Sequence, residues 1–265
     1  MELIEKISET NVSRGEIALF YLAQAGFIIK TSGNKIIVID AYLTDAAEKL
    51  FGFKRMIPKI IKPEEINADL YISTHSHVDH LDTDALPVIS KNRNTFFVGS
   101  RDCEDYYKKY HIPEEKYHIL RLNEVWSREG IVLRAVYADH GDLAPHAVGI
   151  LIDIDGIKVY HAGDTSFCPE EIGNSLHSEI DILIVPINGK FGNLNASEAC
   201  KLARIVNPKV IIASHFWMFL EHMSEGGAGD PQKFITESKE LPKEMKAIVM
   251  APGELFKYSN LKNNQ

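Results

Sequence analysis

One short stretch of this sequence is crowded with side chains able to ligate metal: His75-Ser76-His77-Val78-Asp79-His80, one residue after the buried run Leu70-Tyr71-Ile72-Ser73. In a near-extended segment residues i and i+2 project to the same side, so His75 and His77 can hold one divalent ion. The turn after them aims Asp79 and His80 at a second. Asp82 or Thr83 then caps the next helix. A strand end rarely gathers three histidines and an aspartate merely to be solvated.

Two ions need further ligands, and other apolar runs end in suitable residues. Ile157 to His161 leads into Ala162-Gly163-Asp164, where two small residues let the backbone approach and Asp164 can bridge the ions. Leu133 to Tyr137 leads into Asp139-His140-Gly141-Asp142, with His146 nearby as an alternative ligand or a pocket residue. Val210 to Ser214 presents His215 in the same way. Two ions sharing a water would lower its pKa towards about 7 for attack on a carbonyl carbon or phosphorus, with Asp79 orienting that water and shuttling a proton. Nitrogen and oxygen donors suit zinc and admit manganese, iron or nickel. In the loop Asn188 to Asn195, Asn188 and Lys190 could hold a phosphate or sugar hydroxyl, although the segment also reads as an ordinary turn before a helix.

The remaining histidines read more plainly. His161, at the end of an apolar run, belongs to the core or supports a ligand. His111, His118 and His177 read as surface residues, as does His222, which stands near enough to His215 to line the pocket. No G-x-S-x-G signature occurs, and Gly226-Gly227-Ala228-Gly229 does not follow a strand in a βαβ unit, so neither a serine nucleophile nor a dinucleotide loop is expected. Cys103, Cys168 and Cys200 are odd in number and lack C-x-x-C spacing, which points to reduced thiols in a cytoplasmic protein.

The elements that must position these residues can be read from periodicity and turn signals. Glu16 to Asp40 gives three short strands as an antiparallel meander, broken at Gly26 and Ser32-Gly33-Asn34. Leu43 to Ile66 has no clean period, and its apolar part from Leu50 to Ile61 suits either a pocket lid or the interface of a homo-oligomer. A strand at Leu70 to Ser73, a helix at Thr83 to Ser90, a strand at Thr95 to Val98 and a helix at Arg101 to Tyr110 follow. Strands at Ile131 to Tyr137, Ala147 to Ile154 and Ile157 to His161 come next, the last two joined by Asp155-Gly156. Further on are a strand at Ile182 to Val185, a helix from Ala196 to Ile205 ended by Asn207-Pro208, a strand at Val210 to Ala213, a helix at Pro231 to Glu240, and a terminal hairpin around Pro252-Gly253.

With 265 residues, 45% of them apolar, the chain can bury a large core. We expect one domain over 1–265, with its core at about 16–257. Asp and Glu outnumber Lys and Arg by 37 to 29, a net charge of -8, so no overall basic field draws the protein onto long nucleic acids. Met1 to Arg14 has no continuous apolar stretch for a secretory signal, and no run approaches the roughly 20 residues that span a bilayer. A small-molecule substrate is the expected partner, with no membrane.

The H-x-H-x-D-H motif, followed in order by His140, the His161-Ala162-Gly163-Asp164-Thr165 turn and His215, resembles the metallo-β-lactamase superfamily over Glu16 to about Phe256. Within it the chain is most similar to the ascorbate-6-phosphate lactonase group, which Asn188 to Glu198 also resembles. It departs from that group in its shorter N-terminal part and in Ser76, where the group tends to carry an acidic residue. The resemblance implies an α/β fold, an αββα four-layer sandwich in a single domain with metals along one edge. It implies His75, His77 and His140 on one ion, Asp79, His80 and His215 on the other, and Asp164 between them. The activity it implies is metal-dependent hydrolysis of a small phosphorylated or polyhydroxylated substrate such as ascorbate 6-phosphate, with two zinc or manganese ions, the lactonase likeness favouring manganese. Alternatives are a phosphodiesterase acting on a cyclic nucleotide, RNA or a phospholipid head group, and a non-catalytic metal-dependent sensor.

Overall fold

The computed structural model describes residues 2–224 and 228–260. Helix α1 (Leu3–Glu9) precedes strands β1 (Glu16–Ala23), β2 (Gly26–Thr31) and β3 (Ile36–Ile39), then α2 (Ala46–Phe51) and β4 (Leu70–Ser73). Next come α3 (Leu86–Ile89), β5 (Phe96–Gly99), α4 (Glu104–Lys109), β6 (Tyr117–Ile119), β7 (Val125–Arg128) and β8 (Ile131–Tyr137). The second half continues with β9 (Val148–Ile154), β10 (Ile157–His161), α5 (Pro169–Leu176), β11 (Ile182–Pro186), α6 (Ala196–Val206) and β12 (Val210–Ser214). It closes with α7 (Leu220–Ser224), α8 (Pro231–Glu237), β13 (Lys246–Ile248) and β14 (Leu255–Ser259).

The described strands form two seven-stranded sheets, ordered β14-β1-β2-β3-β4-β5-β6 and β13-β12-β11-β10-β9-β8-β7. Each begins as an antiparallel meander and continues in parallel strands, β3 to β6 in one and β10 to β13 in the other. Strand alternation explains why β1 is apolar from Ile17 onward. Ile17, Leu19 and Tyr21 enter the core shared by the two sheets, while Ala18, Phe20 and Leu22 pack outward with Leu3 and Ile7 of α1, Leu86 of α3 and Tyr107 of α4. The opposite outer face is covered by Ile172 of α5, Leu202 of α6 and Phe234 of α8. Each such large side chain taken from water stabilises the fold by about 1.5–3 kcal/mol. The result is the expected αββα sandwich.

Several local expectations need correction. The helix expected over Thr83 to Ser90 is regular only at Leu86–Ile89, after a turn in which the Asp82 carboxylate accepts the N–H groups of Asp84 and Ala85. The expected helices at 101–110 and 231–240 keep α geometry over Glu104–Lys109 and Pro231–Glu237 and are 3-10 at one end. Pro252-Gly253 is not a hairpin turn: β13 pairs with β12 in the second sheet and β14 with β1 in the first, so the turn carries the chain across the sandwich. In the 43–66 segment, α2 forms and Arg55 places its guanidinium over the Tyr42 ring while bonding the carbonyls of Tyr42 and Thr44. Gly226 and Gly227 lie outside the described residues. Among the described residues no helix is long and apolar enough to cross a membrane.

Candidate metal centre

Five strand ends meet along one edge of the sandwich, those of β3, β4, β8, β10 and β12, and the loops after them carry Asp40, His75 to His80, His140, Asp164 and His215. The organising residue is Asp40, fully buried and held in the left-handed region at φ 48°. Its Oδ1 accepts the Thr74 N–H at 2.8 Å, and its Oδ2 accepts the Thr74 hydroxyl at 2.7 Å and His80 Nδ1 at 2.8 Å. With its proton committed to Asp40, the Thr74 hydroxyl can only accept from His75 Nδ1, 3.1 Å away. Both rings therefore keep a proton on Nδ1, which leaves Nε2 as the inward atom that can bind an ion, on His80 once the second proton its carboxylate neighbours favour is displaced.

The inward atoms converge. His77 Nδ1 lies 3.0 Å from His75 Nε2 and 3.1 Å from His140 Nε2, and the other edge of His77 bonds the Leu143 backbone. Burial first, then neighbouring imidazoles, lowers the pKa of His75, so it is neutral at pH 7. Burial likewise keeps His77 and His140 below the usual imidazole range. With a single proton on His77 Nδ1 at most one of these contacts can be an ordinary hydrogen bond, so at least two lone pairs converge where a cation would be held.

A second set stands beside the first. Asp79 Oδ2 is 3.3 Å from His215 Nε2 and 3.8 Å from His80 Nε2. Asp164 reaches into both sets, with Oδ1 3.3 Å from His80 Nε2 and Oδ2 3.2 Å from His215 Nε2 and 3.6 Å from His140 Nε2. Burial favours the neutral acid at Asp79 and Asp164, yet the adjacent His80 and His215 outweigh it and hold both carboxyls ionised. Burial also works against charge on His80 and His215, but their carboxylate neighbours, chiefly Asp164, raise His80 and bring His215 to about 9. These carboxylates thus demand positive charge, which protons supply here and divalent ions can supply in their place.

Two observations test whether the residues fit such ions. His80 Nε2 and Asp164 Oδ1 are fully buried and, although 3.3 Å apart, lack hydrogen-bond geometry with each other or with any described residue. The donors fall into three groups, His75/His77/His140, His75/His80/Asp164 and Asp79/His80/His215, each with its ligand atoms within 4.8 Å of one another. Nitrogen and carboxylate donors in sets of three fit a pair of divalent ions such as zinc or manganese.

All seven proposed ligand residues are thus brought together. His146 stands apart, exposed, with its backbone N–H on Asp102. Asn188 is buried beside His215, Gln24 and Trp217 around a small crevice, while Lys190 lies near the surface. His222 also lines that crevice and packs against Phe53, Phe191 and Phe219, which corrects its expected surface place. His118 is half-buried, stacked on Trp126 and paired with Glu124 at 2.7 Å, rather than a plain surface residue. His161 is a satisfied core histidine: Gly163 N–H donates to its Nδ1, so its Nε2–H donates to the Ala25 carbonyl.

Sequence reasoning missed Asp40, Gln24, Thr74 and Asn193. Gln24 donates to Asp79 Oδ2 at 2.7 Å, and Asn193 to Asp164 Oδ2 at 2.7 Å. A polar residue ending an apolar run was a usable signal for Asp40, as it was for Asp164. None marked Gln24 or Asn193, whose roles arise from distant loops meeting. Leu143, Phe167, Phe191 and Trp217, each two or three residues beyond a residue of this edge, are exposed.

Residues 35–216 match a family model described as a beta-lactamase superfamily domain. A UPF0173 metal-dependent hydrolase of Thermococcus onnurineus is 30% identical over 247 residues, covering 89% of this chain and 97% of the relative. Another, of Polynucleobacter asymbioticus, is 29% identical over 264 residues, covering 93% and 88%. Among solved structures, a metallo hydrolase from the archaeon Ignicoccus hospitalis has the same fold, with a TM-score of 0.72 at 21% identity over 92% of this chain and 99% of its own. An isothiocyanate hydrolase from Delia radicum gut bacteria gives 0.70 at 19% identity over 91% and 99%.

Proposed function

The chain belongs to the beta-lactamase superfamily as a metal-dependent hydrolase, and we propose that it acts on a small phosphorylated or polyhydroxylated substrate, with a sugar lactone such as ascorbate 6-phosphate as the most specific version. The observation that carries this reading is the convergence of His75, His77, His140, Asp164, Asp79, His80 and His215 on two adjoining sets of inward ligand atoms. Two divalent ions held by these residues, zinc or manganese, would acidify a shared water at neutral pH and offset charge on the leaving alkoxide.

The chain's own residues do the rest. Asp40 and Thr74 fix the tautomers of His80 and His75, so their lone pairs are aimed before substrate arrives. Asp79 is the more open of the two site carboxylates, with 16% of its side chain accessible against 5% for Asp164. Gln24 and His215 take its Oδ2, leaving Oδ1 to orient a water and accept its proton. Asn188 lines the crevice beside His215, and it and the neighbouring Lys190 are proposed to contact substrate hydroxyls or phosphate.

The fold alone does not choose the substrate, because one scaffold supports many reactions. The deciding experiment is a screen of metal-reconstituted protein against sugar lactones and phosphodiesters. Turnover of lactones is expected. Turnover of phosphodiesters alone would replace this reading with a phosphodiesterase, and binding without turnover would replace it with a sensor. Asp79→Asn, reloaded with excess metal because it also alters a ligand, is expected to lose at least about 100-fold in kcat, and undiminished hydrolysis of every class would remove Asp79 from its role.

A further inference from the structure

Beside the metal centre opens a second cavity, of about 270 Å³, whose walls include Arg101, Arg121, Tyr137 and His146. Two of its wall residues tie it to the site. Ala138 lies two residues before His140, and the Val148 N–H donates to the carbonyl of Thr74, the residue before His75. On a chain of net charge -8, two arginines and a histidine around one hollow stand out.

The nearby carboxylates are engaged elsewhere. Asp102 accepts the His146 backbone N–H at 3.1 Å, Glu104 pairs with Lys108 at 2.6 Å, and Glu124 takes His118 at 2.7 Å and the Arg121 backbone N–H at 3.0 Å. Neither the Arg101 nor the Arg121 side chain makes an ion pair or side-chain hydrogen bond among the described residues. Two guanidiniums that feel the charge of Glu104 but make no direct bond to a carboxylate, in the wall of a cavity with an imidazole and a phenol ring, match the several oxygens of a phosphate better than a single hydroxyl.

We infer that this cavity is a subsite for the dianionic phosphomonoester group of the substrate, held by Arg101 and Arg121 with His146 at its edge, while the bond to be cleaved lies over the histidine-aspartate cluster. This rests on the hydrolase reading for its use in catalysis, but its binding step does not. It also assigns His146 to a substrate group rather than to an ion, and moves the phosphate away from Lys190, leaving Asn188 and Lys190 to the uncharged part of the substrate.

The test is a titration of full-length protein with inorganic phosphate, followed by amide NMR shifts, in both metal-loaded and chelated samples. Saturable shifts at Leu122, Ala147 and Val148 in both samples are expected, with sodium acetate giving none at the same concentrations. The Arg101→Gln/Arg121→Gln pair should weaken phosphate binding by about tenfold or more while metal content stays at the wild-type value. Shifts confined to residues 74–80 and 164 in the loaded sample, equal binding by the double variant, or equal response to acetate would each overturn the proposal. Failure of the hydrolase reading would appear instead as absent metal or absent turnover with the phosphate shifts intact.

Discussion

Asp40 accepts three hydrogen bonds, and through them it decides which nitrogen of His75 and His80 is free. Replacing it with Asn keeps a residue that tolerates left-handed backbone but gives one edge of the carboxyl two N–H donors. An N–H group would then meet a donor from Thr74 or from His80, and the His80 proton would move to Nε2, where an ion should bind. Asp40→Asn should lower metal affinity by about 10- to 100-fold with an unchanged circular dichroism spectrum, as read by competition with a chelator. Unaltered affinity would show that the tautomer is fixed by something else. Gly163 offers a second probe, since its φ is 63° and a Cβ there would lie 3.0 Å from the Thr74 side chain. Gly163→Ala should destabilise the protein by about 1–3 kcal/mol in denaturant titration, and a loss below 0.5 kcal/mol would mean that the turn yields. At this scale the ligands were legible because they are histidines and aspartates in tight spacing. The residues that orient them were not, because Gln24 and Asn193 are unremarkable until folding brings them to a carboxylate.

At the scale of elements, Asp181 joins the two sheets. Its carboxylate, just before β11, accepts the Lys158 N–H of β10 at 2.9 Å, Lys209 at 2.6 Å and the Tyr258 hydroxyl of β14 at 2.9 Å. Burial raises its pKa, but these donors outweigh burial and hold it below the usual carboxylate range. A depressed carboxyl stabilises the fold above its ordinary pKa, about 3.9, and that stability is lost as the pH falls through the folded value. Lys209→Met should therefore be less stable than wild type at pH 7, with the gap between them narrowing below about pH 4, measured by urea unfolding across pH. A constant gap would refute the linkage. Strands such as β1 and β12 were readable because both faces are buried and their apolar runs are nearly unbroken. Strands β6 and β7 and helix α5 were not. β7 alternates between exposed and half-covered residues, and α5 offers Ile172 and Leu176 as its only large apolar anchors around Gly173. The β13–β14 connection looked like a hairpin because Pro-Gly reports a turn and says nothing of which sheet receives the next strand.

For the whole molecule, ions that bind only the folded state stabilise it by mass action. Elemental analysis of purified protein should find close to two divalent ions per chain, and removing them should lower the melting temperature by something on the order of 10 °C. A melting temperature indifferent to chelation would argue against ions bridging the two halves, since Asp79 and His80 follow β4 of one sheet while Asp164 and His215 follow β10 and β12 of the other. The exchange of β14 between halves has a further consequence for how the molecule is made. Strand β1 leaves the ribosome before the other described strands, yet its outer neighbour is translated after all of them. Until Leu255–Ser259 emerges, the nascent chain carries a bare, apolar β-edge open to other nascent chains, and its ligand-bearing loops rest on an unfinished sheet.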